Sequence, residues 1–201
     1  MEMEWLPAGA RKVEYLQSDG SQWVEFPNIL GQIQEFEFIF MPNTLGSMSA
    51  VWAFGSWEAT SGANGFSLDL SNTGLRLLCS SSYPSFSLQE FSKSISTPPV
   101  NNLNTFSIKT DGNVYMNTSN IGTGTFYITS TSNNRRLFGV AVSSTFYSQS
   151  MRIYSFKLKT TYGKIEIIPV RIGDTGYMYE KFSKTLLSNM GTGSFTLGQD
   201  K

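Results

Sequence analysis

Two glutamates, Glu35 and Glu37, are the closest approach to a paired carboxylate in this 201-residue chain. On one strand they share a face about 6.5–7 Å apart. That is the lower end of the ~6.5–9.5 Å window in which an inverting glycosidase holds acid and base around a water. They alternate with Phe36, Phe38 and Phe40, and this pattern predicts a solvated strand face opposite a buried aromatic one. Nothing on such a face desolvates a carboxylate for proton donation, so no hydrolytic role is expected of the pair. Asp69 stands alone on the run Phe66–Leu70. The chain has no histidine, which removes Ser-His-Asp and Cys-His catalysis and His-ligated zinc. Its one cysteine, Cys79, lies in an alternating run and reads as a buried small hydrophobe rather than a nucleophile.

Metal chemistry has little to draw on. The five aspartates, at 19, 69, 111, 174 and 200, are scattered, and no D-x-D-x-D-G run is present. Asp19, Asp111 and Asp174 adjoin glycines and read as turn formers. No cofactor is expected, although a calcium ion held by distant loops and backbone carbonyls stays open. Arg135-Arg136 follows Asn133-Asn134 and reads as a solvated loop, with an anion or glycan contact as the sharper alternative. Aromatics beside Ser, Gly and Pro are more informative. Sugar recognition uses aromatic platforms against the apolar face of a pyranose, plus planar polar groups for its hydroxyls. Trp57 with Glu58, together with Arg76, Tyr83, Phe86 and Tyr147, could supply that mixture, and these six are the expected ligand-binding set.

The elements that would hold them have a period of two. Phe36/Phe38/Phe40, Phe66/Leu68/Leu70, Leu75/Leu77/Cys79 and Phe106/Ile108 each alternate with polar or smaller partners, as strands with one buried face do. Val51–Phe54, Leu137–Val142, Met151–Leu158 and Ile165–Val170 are more continuously apolar and predict central strands covered on both faces. Turn signals such as Asp19-Gly20, Asn72-Thr73-Gly74 and Asp111-Gly112-Asn113 separate them. The only helical candidates are short, near Ser87–Phe91 and Glu180–Leu187. Roughly a dozen short strands predict a single all-β domain over 1–201, a two-sheet antiparallel sandwich or barrel.

Both ends of the chain carry a resemblance. Leu6-Pro7-Ala8-Gly9, Val13-Glu14-Tyr15-Leu16-Gln17-Ser18 and Gly20-Ser21-Gln22-Trp23-Val24, within an N-terminal segment 5–30, resemble the leader strand of laminin-G-like, concanavalin A-like jelly-roll modules of bacterial surface and phage-associated proteins. Arg152–Leu158 resembles a late strand of the same family. In the closing segment 163–201, Ile168-Pro169-Val170-Arg171, Gly176-Tyr177-Met178-Tyr179 and Asn189-Met190-Gly191-Thr192-Gly193-Ser194-Phe195 resemble its final blocks. Ser56-Trp57 departs from it, where relatives carry a small or basic residue. The resemblance implies a concanavalin A-like jelly roll whose first and last strands pair, and it names no site, because the shared blocks are strand-pairing elements.

Fifteen basic and fifteen acidic side chains leave no net charge, which argues against nucleic acid as a partner. No stretch is apolar enough to span a bilayer as a helix, and the acidic start lacks the apolar core of a signal peptide. The expected function is a non-catalytic carbohydrate-binding or adhesion module that recognises a surface glycan. It would act at a cell surface or on a virion, alone, as a homo-oligomer or in a larger assembly. The alternatives are a structural module of a surface or phage-tail assembly, and a glycoside hydrolase or lyase.

Overall fold

The computed structural model describes residues 5–27, 29–44, 50–57, 65–71, 74–83, 87–94, 100–129, 135–142 and 145–201, with only the strand course given for part of 50–57, 65 and 141–148. The chain is all β, with no helix among the described residues. In chain order the strands are β1 (Ala10–Lys12), β2 (Leu16–Asp19), β3 (Val24–Phe26), β4 (Gly31–Pro42), β5 (Ala50–Trp57), β6 (Gly65–Ser71) and β7 (Gly74–Ser80). Then come β8 (Leu88–Ser94), β9 (Asn104–Ile108), β10 (Asn113–Met116), β11 (Ser119–Thr123), β12 (Tyr127–Ile128), β13 (Arg135–Leu137) and β14 (Gly139–Val142). The last are β15 (Thr145–Ser148), β16 (Ser150–Thr160), β17 (Lys164–Ile172), β18 (Thr175–Glu180), β19 (Thr185–Leu187) and β20 (Thr196–Leu197).

The longest strands, β4 and β16, pair antiparallel at the centre. β9, β10 and β11 extend from β4, and β17, β18 and β19 from β16. A second run, β8–β7–β6–β5, continues from β5 into β13 and β14. β12 bonds to both β4 and β7, so the strands form one network that nearly closes on itself like a barrel. Every described pairing is antiparallel except that of β14 with β5. The chain turns between β13 and β14 at Phe138, whose φ is +70°.

Alternation decides the core. Phe36, Phe38 and Phe40 point inward from β4, and Phe54, Phe66 and Phe156 meet them from β5, β6 and β16. The Phe36 ring lies 5.3–5.8 Å from those of Phe54, Phe66, Phe106 and Phe156, mostly edge to face. Each such pair adds about 0.5–1.5 kcal/mol beyond burial alone. β16 and β17 are central but covered on one side only. Lys157 and Lys159 of β16 and Lys164 of β17 face solvent, in place of the two-sided burial their apolar runs suggest.

The two ends interlock. Leu16 and Gln17 of β2 pair with Leu197 and Thr196 of β20, and Val13 bridges Asp200. Met190 N–H donates to the Trp23 carbonyl and Thr192 N–H to that of Ser21, at 2.8 and 3.0 Å. Gly191 lies so close to the Ser21 carbonyl and the Trp23 ring that a Cβ has no room. Both short helical candidates are strand and turn instead. Residues 88–94 are edge strand β8, and 180–187 are the end of β18, a turn at 181–184 with Lys184 at φ +57°, and β19.

Candidate functional site

The hairpin of β6 and β7 places Asp69 directly across from Arg76, and β8 sets Ser92 beside Arg76. Arg76 donates from Nε to Asp69 Oδ2 at 2.8 Å, and its Nη2 is 2.7 Å from the same oxygen. Nη1 lies 4.0 Å from Glu90 Oε2, and the Ser92 hydroxyl donates to Glu90 Oε1 at 2.5 Å. One guanidinium therefore sits between two carboxylates. Asp69, Arg76 and Ser92 line a shallow depression of about 460 Å³ that Lys93 and Ser94 also border.

Asp69 is the unusual group. It is 5% exposed, and its Oδ1 is buried without a hydrogen-bond partner among the described residues. Burial pushes its carboxyl up to about 6, the Arg76 hydrogen bond and charge pull it back, and Glu90 pushes it further up. A buried acceptor with an unfilled position is costly to the fold, and perturbed carboxylates of this kind gather at binding and catalytic sites. The cluster presents a half-exposed guanidinium donor and serine hydroxyls, backed by the enclosed Asp69 carboxylate. That is hydrogen-bonding equipment for a polyol.

Of the six expected ligand residues, Arg76 is the one that borders this depression among the described residues. Tyr83 lies past the other end of β7, where its ring packs 5.4 Å from that of Tyr162. Tyr147 is half-buried on β15, opposite Val140. It is four strands from β7, about 19 Å across the network. Trp57 is the last residue of β5, in register with Gly65. Glu58 and Phe86 lie outside the described residues. Asp69 and Glu90 were not among the expected six, although the hairpin register carries a signal for the first. Leu70 pairs with Leu75 on either side of the Asn72-Thr73-Gly74 turn signal, and this register sets Asp69 across from Arg76.

Glu35 and Glu37 do lie on the open face of β4, where they accept from Lys159 and Lys157 at 3.2 and 2.9 Å. The arginine pair is not a solvated loop. Arg135 and Arg136 open β13, and Arg135 is 1% exposed and donates to the Thr129 carbonyl at 2.8 Å. Arg136 pairs with Glu25 at 3.1 Å and covers the Trp23 ring. Alternation across a β13 hidden in a polar sequence accounts for one arginine facing in and one out. Cys79 is fully buried, as its run predicts. No group of three or more His, Cys, Asp or Glu able to hold a metal occurs among the described residues. The chain matches no protein-family model, and a search of curated proteins returned no match either.

Proposed function

We propose that the chain is a non-catalytic carbohydrate-binding or adhesion module, built as a two-sheet jelly roll, and that a sugar docks at the Asp69–Arg76 depression. The observation that carries this reading is the nearly buried carboxylate with one unfilled oxygen, tied to a guanidinium that borders a 460 Å³ concavity. The half-exposed Arg76 guanidinium suits a sugar's ring and hydroxyl oxygens, and the enclosed Asp69 carboxylate behind it fixes the guanidinium in place. The jelly-roll part rests on the pairing of the N-terminal strand β2 with the last strand, β20, and on the meeting of Phe54 and Phe66 with Phe36, Phe38 and Phe156. The likeness of the end blocks to surface and phage-associated modules supports a place at a cell surface or on a virion.

Asp69 has the raised pKa of a proton donor, so the hydrolase alternative turns on its companion. Glu90 lies against the same guanidinium rather than facing Asp69 across room for a water, and this favours binding over hydrolysis. A single shallow site of this kind binds weakly, near millimolar or about −4 kcal/mol, so adhesion would come from several copies presented together. The test is a glycan-array screen of the multivalent domain, wild type against Asp69→Asn and Arg76→Gln. Binding to at least one glycan class, reduced tenfold or more in both variants, is the expected result. Binding unchanged in both would move the site elsewhere. Sugar release from a polysaccharide panel that Asp69→Asn abolishes would make the protein a hydrolase.

A further inference from the structure

A chain without net charge nevertheless gathers seven of its nine lysines on one open face, apart from the sugar site. Lys109, Lys157, Lys159 and Lys164 border a depression of about 460 Å³ across β9, β4, β16 and β17. Lys12, Lys181 and Lys201 border a second one, about 500 Å³, which shares Lys157 and Glu166 with the first. The two run together as one groove. Its only acidic side chains are Glu35, Glu37 and Glu166, so the lining side chains carry an excess of four positive charges.

The ladder sets both stabilising and opposing charge pairs side by side. Lys157 sits between Glu37 and Glu166, as a stabilising charge row would have it. Lys159, however, is directly opposite Lys164, and like charges in that position are destabilising. Lys12 is held below the ordinary lysine range by burial and then by the ammonium of Lys181, with Glu166 opposing and Lys201 adding to the effect. No carboxylate forms an ion pair with Lys109, Lys164 or Lys201 among the described residues. The groove is charged in advance for an anion.

Two features narrow the anion. No arginine lines the groove, and lysine is a compact point charge suited to phosphate oxygens, whereas the arginine fork matches planar carboxylates. The accessible rings are already engaged. The Lys164 ammonium sits 4.1 Å over Phe182, and Tyr154 packs 5.5 Å from Tyr15, which itself carries the Arg152 guanidinium. Nucleobases bind by stacking on open rings, and Phe182, the exposed ring of the groove, already carries the Lys164 ammonium. Anchor points on neighbouring strands and along one strand recur roughly every 5 to 7 Å, a spacing that successive charges of a flexible chain can follow.

We infer that this groove binds a linear phosphodiester polymer of the polyol-phosphate type, recognised by charge along its backbone. The interaction is separate from the sugar site and does not depend on it. The experiment is a titration of the full chain with a poly(glycerol phosphate) oligomer, beside single-stranded DNA and polygalacturonate of equal charge, at several salt concentrations. The expected result is binding to poly(glycerol phosphate) that weakens steeply with salt and exceeds binding to the other two. The Lys109→Gln/Lys164→Gln/Lys201→Gln triple variant alters only exposed side chains. It should lose at least tenfold in affinity with an unchanged melting temperature, whereas Asp69→Asn should bind like wild type. Absence of binding at low salt, or full binding by the triple variant, overturns the proposal. Tighter binding of DNA would make the groove a nucleic-acid surface, and equal binding of polygalacturonate would show charge without phosphate preference; either outcome also overturns it.

Discussion

Replacing Asp69 with asparagine should make the protein more stable at neutral pH, not less. Its carboxyl titrates at about 6 rather than at the ordinary 3.8. At about 1.4 kcal/mol per unit, the ionised form costs the folded chain about 3 kcal/mol relative to the unfolded one. The sign follows from which state holds the proton. Below pH 3.8 both states are protonated and the cost is absent. Between 3.8 and 6 the folded chain keeps a proton that the unfolded chain has lost, so stability falls as pH rises. Above 6 both are ionised and the whole cost persists. Asparagine keeps the shape of the protonated acid at every pH, and Arg76, 41% exposed, retains water and Glu90. Asp69→Asn should therefore gain about 1–3 kcal/mol at pH 8, a rise in melting temperature of about 3–10 °C for a chain of this size, and little or nothing at pH 4. Scanning calorimetry of both proteins from pH 4 to 8 reads the difference. The lowered carboxyls of Asp19, Asp111, Asp200 and Glu180 are common to both and cancel in it. A variant less stable than wild type at pH 8, or a difference that does not grow between pH 4 and 6, refutes the reasoning. With glycan binding lost in the same variant, the pair of results would identify a charge kept for function at the expense of stability.

Gly191→Ala should cost about 2–3 kcal/mol, because the new methyl would stand where the Ser21 carbonyl and the Trp23 ring already are. An unchanged denaturant midpoint would show that the two ends do not grip each other as described. Cys79, fully buried with its thiol pushed by burial up to about 12, should ignore a disulfide reagent at pH 8 and react in full once urea unfolds the chain. Labelling in the native state at the rate of a free thiol would place it at the surface.

Local pattern made the strands legible, and distance along the chain hid what they assemble. Period-two runs identify the inward phenylalanines of β4 and the outward Glu35 and Glu37, and the turn at 72–74 sets Asp69 against Arg76 within a single hairpin. Glu90 arrives from the next hairpin, whose edge strand is mostly exposed and so lacks the apolar alternation that marks a strand. Arg135 reads as loop in sequence because a polar pair follows two asparagines, whereas β3 and β5 on either side make β13 a central strand. The lysine groove is the clearest case. Alternation places Lys157 and Lys159 outward, but no local signal says that β4, more than a hundred residues earlier, and β17 will lie beside them. The zero net charge of the sequence is a sum, and folding sorts its terms onto different faces.

The grip between the chain ends also sets how the molecule would respond to being pulled. Lys201 N–H donates to the Lys12 carbonyl at 3.1 Å, and successive links run inward from there through Val13–Asp200, Glu14–Gln199, Tyr15–Gly198 and Leu16–Leu197. Tension applied through residues 12 and 201 would load these links one after another rather than together, as a zipper is loaded. The terminal strand would then peel at low force while the phenylalanine core stayed packed. A module held by both ends would yield its last segment first, as a short, recoverable extension that protects the rest of the fold from the load.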